Sequence, residues 1–387
     1  MNTKQKNLLK IAILTMSFVQ MGTNGIAPIL AQIAAAFPDA SATRVQFLMT
    51  FPSIFCLIFT LISAFLSDVL PKKTLALSGL SIVAAGGILA CCFHSSLGIL
   101  FVWAAVLGVG IGMVAPLAPA LINERFQNAE KQTMLGWQNA ANTLGSMLMT
   151  FIGGFLAIMG WQFGYLVYLL GIPGIIFTII GLPRDKKTSA VKADAPKREP
   201  FRLVIWKEMI ITLVLLMGFS AVPANLAMLV AERGLGDTSV SGMMSTVFLF
   251  GGMAFGILFG KVSSILKKRT DLAGAILLAV GALIISSSTF LPLLFVACFL
   301  AGSSISLIMP TCMGSASRLK GYETLNSALL LSASFIGVFI TPLLTSLTAK
   351  ITGSGSVTYR FVMVAIVAII LAVLTVVFKR SPKTKQG

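Results

Sequence analysis

Charge is what this sequence lacks. Of 387 residues, 11% are Asp, Glu, Lys or Arg, against about 25% in an average soluble domain. Hydrophobic residues make up 57%, and the mean hydropathy is +0.95. A chain this apolar could not cover a water-facing surface, so lipid is the natural solvent for most of it. Histidine occurs once, as His94, and cysteine five times. Cys56, Cys91, Cys92, Cys298 and Cys312 all fall in apolar runs, without metal-ligand spacing. Free cysteines in such places behave as small hydrophobes, so neither a redox nor a metal role is expected. The runs hold no paired carboxylates, no histidine cluster and no nucleophile constellation, which argues against an enzyme. No cofactor is expected either: Gly108-x-Gly110 has no strand before it and no soluble domain around it.

What is present is length. A hydrocarbon core about 30 Å thick needs about 20 apolar residues per helix. Backbone groups in lipid must be satisfied internally, so spans are helices or closed barrels. The apolar runs here are long and continuous, not alternating. They predict an all-α membrane protein of twelve transmembrane helices, near 8–29, 45–67, 74–94, 98–122, 132–158, 162–182, 206–231, 241–261, 271–290, 293–315, 323–349 and 357–378. The ninth and tenth are divided on Leu291–Pro292 as a turn. The first is not read as a signal peptide, because it is too long and carries Gln20 and Asn24.

Charge tests this topology. With the N-terminus inside and twelve spans, 25 of the 29 Lys and Arg fall in cytoplasmic segments; the other four are Arg44, Arg233, Lys350 and Arg360. A miscounted span would swap the side of every later loop. The expectation is a multi-pass protein of the cell membrane with both termini cytoplasmic. The net charge of +17 then reflects anchors near anionic headgroups, such as Lys267-Lys268-Arg269 and Lys379-Arg380. Bases scattered over short loops do not make a nucleic-acid face.

The longest polar stretch, Pro183 to Arg202, has too little apolar surface to pack and reads as a linker. It divides the chain into a six-helix half at 1–182, a cytoplasmic linker at 183–205 and a second half at 206–387. The halves share spacings. Gly108 precedes Pro116 by eight residues, as Gly302 precedes Pro310; Gly79 lies six past Lys73, as Gly274 lies six past Lys268. Thr150 follows Gly145 by five residues, as Pro342 follows Gly337. Duplicated six-span halves are a known transporter plan.

With these features the chain resembles the major facilitator superfamily, in its bacterial twelve-helix form, over essentially its whole length. Between spans two and three, Ala64-Phe65-Leu66-Ser67-Asp68-Val69-Leu70-Pro71-Lys72-Lys73 is similar to the family's Gly-x-Leu-Ala-Asp-Arg-x-Gly-Arg-Lys. Asp68, Lys72 and Lys73 match; Ala64, Val69 and Pro71 depart. Leu121-Ile122-Asn123-Glu124-Arg125-Phe126, and then Gly145, Gly153-Gly154 and Gly160-Trp161, also fall where the family has comparable residues. The resemblance implies a fold of two pseudo-symmetric six-helix halves and a secondary transporter. It implies conformational gating by Asp68, Lys72, Lys73, Glu124 and Arg125, with Arg125 a partner for Asp68. Two departures count against proton/drug antiport. Ala104 stands where proton-coupled exporters have arginine, and Met149-Thr150 where antiporters have Gly-Pro.

Ionisable residues deep in a span are functional candidates, and the predicted spans hold almost none. Uncharged amides take their place. Gln20 and Asn24 are four apart on one helical face, as are Gln138 and Asn142, with Asn139 beside them; Asn225 lies in span seven. In the superfamily spans one, two, four, five, seven, eight, ten and eleven surround the cavity, and the amides follow that division. We therefore expect Gln20, Asn24, Gln138, Asn139, Asn142 and Asn225 to line a solute pathway, each amide offering donors and an acceptor; interhelical bonding is the alternative role. Proton coupling would fall to Asp39, Glu124 or His94. The expected partners are a small-molecule solute, protons as coupling ion and the bilayer, with the chain a monomer. The alternatives to a carrier of a small organic solute are a proton-antiporting exporter of apolar or amphiphilic drug-like compounds, an uncoupled facilitator, and a non-transporting sensor or scaffold.

Overall fold

A computed structural model describes residues 3–22, 26, 29–40, 42–182, 205–236, 238–315, 322–352 and 356–380. The expected linker, apart from Ile205, lies outside them, as does Asn24.

The described chain is built of fourteen α-helices: α1 Thr3–Ser17, α2 Leu30–Ala36, α3 Ala42–Leu66, α4 Lys72–Cys92, α5 Leu97–Val114, α6 Leu117–Arg125, α7 Asn128–Leu156, α8 Gly171–Gly181, α9 Trp206–Glu232, α10 Thr238–Leu266, α11 Thr270–Ser287, α12 Leu291–Gly314, α13 Glu323–Thr352 and α14 Val357–Arg380. A 3-10 helix, Trp161–Leu170, runs into α8. Fourteen helices make twelve spans because two spans are broken. The fourth divides into α5 and α6 at Ala115–Pro116. The first, expected as one helix, ends its regular winding at Ser17. Phe18, Gln20 and Gly22 then donate backbone bonds three residues back instead of four. The ninth and tenth spans part at Ser288–Phe290, and Pro292 sits in the first turn of α12, where its missing N–H costs nothing.

Among the described residues nine stretches are long and apolar enough to cross a membrane, and one of them, Val240–Ser287, takes in both α10 and α11. The interrupted first span and α7 fall outside that set. In α7 the reason is chemical, since it carries Gln132, Thr133, Gln138, Asn139, Asn142 and Thr143.

The helices gather into two compact units. Unit 1 takes in Met1–Phe126, Ala141–Arg202 and Ala316–Ser332; unit 2 takes in Gln127–Ala140, Leu203–Ser315 and Ala333–Gly387. Helices α7 and α13 thus each divide between units. Each unit repeats one packing plan. In unit 1, α5 lies against α3 and α4, while α8 lies against α1 and α4; in unit 2, α12 lies against α10 and α11, while α14 lies against α9 and α11.

The spacings shared by the halves mark equivalent close approaches. A Cβ on Gly108 would sit 2.4 Å from the Pro52 carbonyl of α3, and one on Gly302 would sit 1.8 Å from the Phe248 carbonyl of α10. Gly79 faces α5 at Gly110 and Val114, as Gly274 faces α12 at Leu307 and Ile308. Gly145 touches the Phe18 backbone, and Gly337 the Leu213 backbone. Apolar packing between helices is weakly driven in lipid, so glycine earns its place by letting backbones touch.

Candidate functional site

The break between α5 and α6 explains where Gln20 points. Pro116 and Pro119 have no N–H, so the carbonyls four residues earlier, Gly112 and Ala115, lose their helical donors. In hydrocarbon such carbonyls need replacements. Thr60 Oγ1 of α3 donates to Gly112 O at 3.2 Å, and Ser63 Oγ, one turn on, donates to Met113 O at 2.7 Å. Gln20 Nε2 donates to Ala115 O at 3.4 Å. The break in the first span is served similarly, by the Tyr168 hydroxyl donating to Gly22 O at 2.9 Å. One sequence-predicted pathway residue thus spends an amide donor on a proline kink. Sequence reasoning does not single out Thr60, although Pro116 signals an orphaned carbonyl at Gly112.

The three candidate amides of α7 are buried, with Gln138 4%, Asn139 2% and Asn142 6% exposed, but they do not act alike. Asn139 Nδ2 donates to Ser306 Oγ of α12 at 2.6 Å, and Ser306 in turn donates to the Gly252 carbonyl of α10. Within unit 2 this chain ties three helices together. Nearby, Gly136 packs on Gly256 and Phe259, Gly256 on Ala140, and Gly260 on Thr133. Asn142, on the unit 1 side of the division, differs: its Oδ1 is enclosed and among the described residues has no hydrogen-bond donor.

Asn225, 3% exposed in α9, has both ends engaged. Its Nδ2 donates to Ala221 O at 2.7 Å, and its Oδ1 accepts from Arg360 Nη1 at 3.0 Å. Arg360 had been counted only as an outlying positive charge.

The charged residues of the Asp68 motif gather where helices start and stop at the linker end of unit 1. Lys72, in the first turn of α4, is buried and pairs with Glu124 near the end of α6. Lys73 donates to the Ile179 and Leu182 carbonyls at the end of α8, the latter at 2.8 Å, where a cation suits the helix dipole. Asp68 stands exposed in the turn after α3, and Arg125 stands exposed as the last residue of α6. In unit 2, Lys131 of α7 donates to the Gly314 carbonyl closing α12 at 3.0 Å.

At the opposite end of unit 2, two adjacent side chains secure three helix ends. Arg233 donates to the Ile285, Ser286 and Ser288 carbonyls at the C-terminus of α11, and to Thr358 Oγ1. Glu232 accepts from the Ser356 hydroxyl at 2.5 Å and from Val357 N–H at 2.7 Å, capping α14. The Ser356 hydroxyl holds the Glu232 carboxyl below its ordinary range, with Val357 N–H next; slight burial opposes them, and Arg233 and Arg360 assist. A folded-state pKa below the unfolded value, about 4.3, means stability present above that value and lost as pH falls through the depressed one. Thermal denaturation should therefore show an acid-side loss, below about pH 4, that is smaller in Glu232→Gln. An identical loss in the variant would remove this cap from the account.

Of the candidates for proton coupling, Glu124 is in the pair with Lys72 and Asp39 is exposed after α2. His94 follows α4, its Nδ1 2.8 Å from Cys91 O and its ring edge-to-face with Trp161 at 5.2 Å. Among the described residues no group of three or more His, Cys, Asp and Glu could hold a metal.

A bundle of apolar spans, kinked where side-chain hydroxyls and amides meet orphaned carbonyls, and packed twice on one plan, is the architecture of a multi-pass membrane carrier. The sequence profile of the Major Facilitator Superfamily matches residues 12–236 and 209–387, and the chain belongs to that family. Solved structures agree on the twelve-helix fold. The human organic anion transporter MFSD10 (TETRAN) superposes with TM-score 0.76 at 14% identity, covering 97% of this chain and 100% of that one. The proton:xylose symporter XylE, bound to 6-bromo-6-deoxy-D-glucose, superposes with TM-score 0.77 at 13% identity, covering 100% and 98%. By sequence, the multidrug transporter mfsC of Aspergillus fumigatus is 28% identical over 281 residues, which are 68% of this chain and 48% of that protein. The multidrug transporter MdtP of Bacillus subtilis is 27% identical over 131 residues, 33% and 24% of the two chains. The chain thus aligns with half or less of either relative's length.

Proposed function

We propose that the protein is a secondary transporter of the cell membrane, acting as a monomer with cytoplasmic termini and moving a small organic solute by alternating access. In this reading the halves 1–182 and 206–387, joined by the linker 183–205, rock against one another, and the solute passes between them. Gln20, Asn24, Gln138, Asn139, Asn142 and Asn225 are placed along its route. Asp68, Lys72, Lys73, Glu124 and Arg125 hold the cytoplasmic ends in one state. The observation that carries the reading is the enclosed Oδ1 of Asn142, a strong acceptor inside an expected membrane span with no donor among the described residues. Leaving such an oxygen unsatisfied costs about 1–3 kcal/mol, a cost that a solute hydroxyl or amine would offset.

A second reading is export of apolar or amphiphilic compounds by proton antiport. It is supported by the relatives that are multidrug transporters. Proton coupling would then use Glu124, Asp39 or His94.

Purified protein in liposomes, screened with solutes with and without a pH gradient, tests both. Flux of a verified solute should fall about five- to tenfold in Asn142→Ala, the loss expected for one buried hydrogen bond. Unchanged flux in both Asn142→Ala and Gln138→Ala would sink the pathway. A gradient without effect would sink proton coupling and leave a facilitator. No flux of any solute, with a soluble partner held by the linker, would replace the transporter by a scaffold. Labelling of a cysteine at position 190 from outside the cell would invert the topology.

A further inference from the structure

Arg360 stands in the first turn of α14. That end of a helix carries partial positive charge and disfavours a cation. The side chain nevertheless reaches inward, to Asn225, seven residues before the end of α9. Its Nη1 donates to Asn225 Oδ1 and lies 3.2 Å from Met228 Sδ. Its Nε is enclosed, and among the described residues no acceptor lies within hydrogen-bonding distance. The Asn225–Ala221 bond fixes which way the carboxamide faces, so its oxygen is committed to holding the guanidinium. Among the described residues here, Arg233 and Arg360 carry two positive charges against the single negative charge of Glu232, whose oxygens already accept from Ser356 and Val357.

We propose that this end of unit 2 carries an oxyanion site, built on Arg360 and positioned by Asn225, that takes the carboxylate of an organic anion. It rests on the transporter reading above for its purpose, since it names that solute's class. The edge formed by Nε and Nη2 matches the two oxygens of a carboxylate, and charge-assisted bonds of this kind are strong. An anion would also cancel the excess positive charge beside the α14 terminus. A phosphate headgroup offers similar oxygens, but the guanidinium is anchored to Asn225, which is buried. A solute group inside the bundle therefore fits better than a lipid at its surface. Loading requires the Arg360 side chain to turn and expose that edge.

The test uses the purified full chain in dodecyl maltoside, at constant ionic strength and neutral pH, with benzoate as probe and benzamide as its uncharged counterpart. Benzoate, and not benzamide, should raise the apparent Tm. The benzoate concentration giving half the shift should rise about tenfold or more in Arg360→Gln and less in Arg360→Lys, which keeps charge but loses the fork. Should Arg360→Gln fail to fold, Arg360→Lys and Asn225→Ala carry the comparison. Equal shifts in wild type and variants, or no benzoate shift in the wild type, would overturn the site. So would stabilisation by phosphatidylglycerol that benzoate does not compete away, because the oxyanion would then be a headgroup. Benzoate uptake into liposomes separates the two readings. Binding through Arg360 without uptake upholds the site and removes transport; uptake indifferent to Arg360→Gln removes the site and upholds transport.

Discussion

Gly302→Ala should leave little folded protein. The added Cβ would lie 1.8 Å from the Phe248 carbonyl oxygen and 2.6 Å from its carbon. Both belong to the backbone of α10, so no rotamer change relieves the clash, and α10 and α12 would have to part. The neighbouring Asn139–Ser306–Gly252 chain would part with them. Overpacking against immobile atoms costs about 3 kcal/mol or more, which outweighs the roughly 1 kcal/mol by which alanine favours a helix over glycine. Gly242→Ala reverses the sign. It lies in α10 with no described residue within 4 Å of the new Cβ, so the propensity gain stands alone. Size-exclusion profiles and thermal denaturation of the two variants should move in opposite directions. Similar behaviour would mean that α10 and α12 do not approach as closely as described.

Arg233→Met should be the most damaging single charge removal at the end of unit 2 away from the linker. Three carbonyls at the close of α11, Ile285, Ser286 and Ser288, and the Thr358 hydroxyl lose their donor together, and Glu232 loses a neighbouring cation. Charge-assisted bonds contribute about 1.5–3 kcal/mol each when isolated. These share one guanidinium and water can reach the end of the bundle, so the expected net loss is about 2–3 kcal/mol. Hydrogen exchange distinguishes a local role from a general one. Amides at the end of α11 and the start of α14 should exchange faster, while those of α12 stay protected. Uniform acceleration throughout unit 2 would show that Arg233 does not act through these helix ends.

The spans were legible because lipid imposes one rule on every residue, and mean composition reports it. The repeats were legible for a similar reason: glycine at an interhelical contact has no substitute, so spacings such as Gly108 to Pro116 and Gly302 to Pro310 survive as letters. The amide positions were also visible, since Gln, Asn and Ser are conspicuous in apolar runs. Their tasks were not. Gln20 and Asn142 carry the same functional group, each four residues along the sequence from another amide. Yet one serves the carbonyl orphaned by Pro119 and the other has an oxygen with no donor among the described residues. Likewise Lys72 and Lys73, adjacent in a short basic motif, separate completely. One pairs with Glu124 and the other terminates α8, because successive residues on a helix point 100° apart.

Composition, run length and charge asymmetry by themselves determined that the chain is an all-helical membrane protein, how many spans it has, and where its repeat lies. Each depends on free energies summed over twenty or more residues, which no single contact overturns. Tertiary structure alone decided which polar groups are consumed in holding kinked helices together and which, like the Asn142 Oδ1, have no donor among the described residues. Partners such as Thr60 for Gly112, Ser306 for Asn139 and Asn225 for Arg360 lie 52, 167 and 135 residues apart. Hydrogen bonding is satisfied atom by atom at about 3 Å, a distance that sequence spacing does not encode.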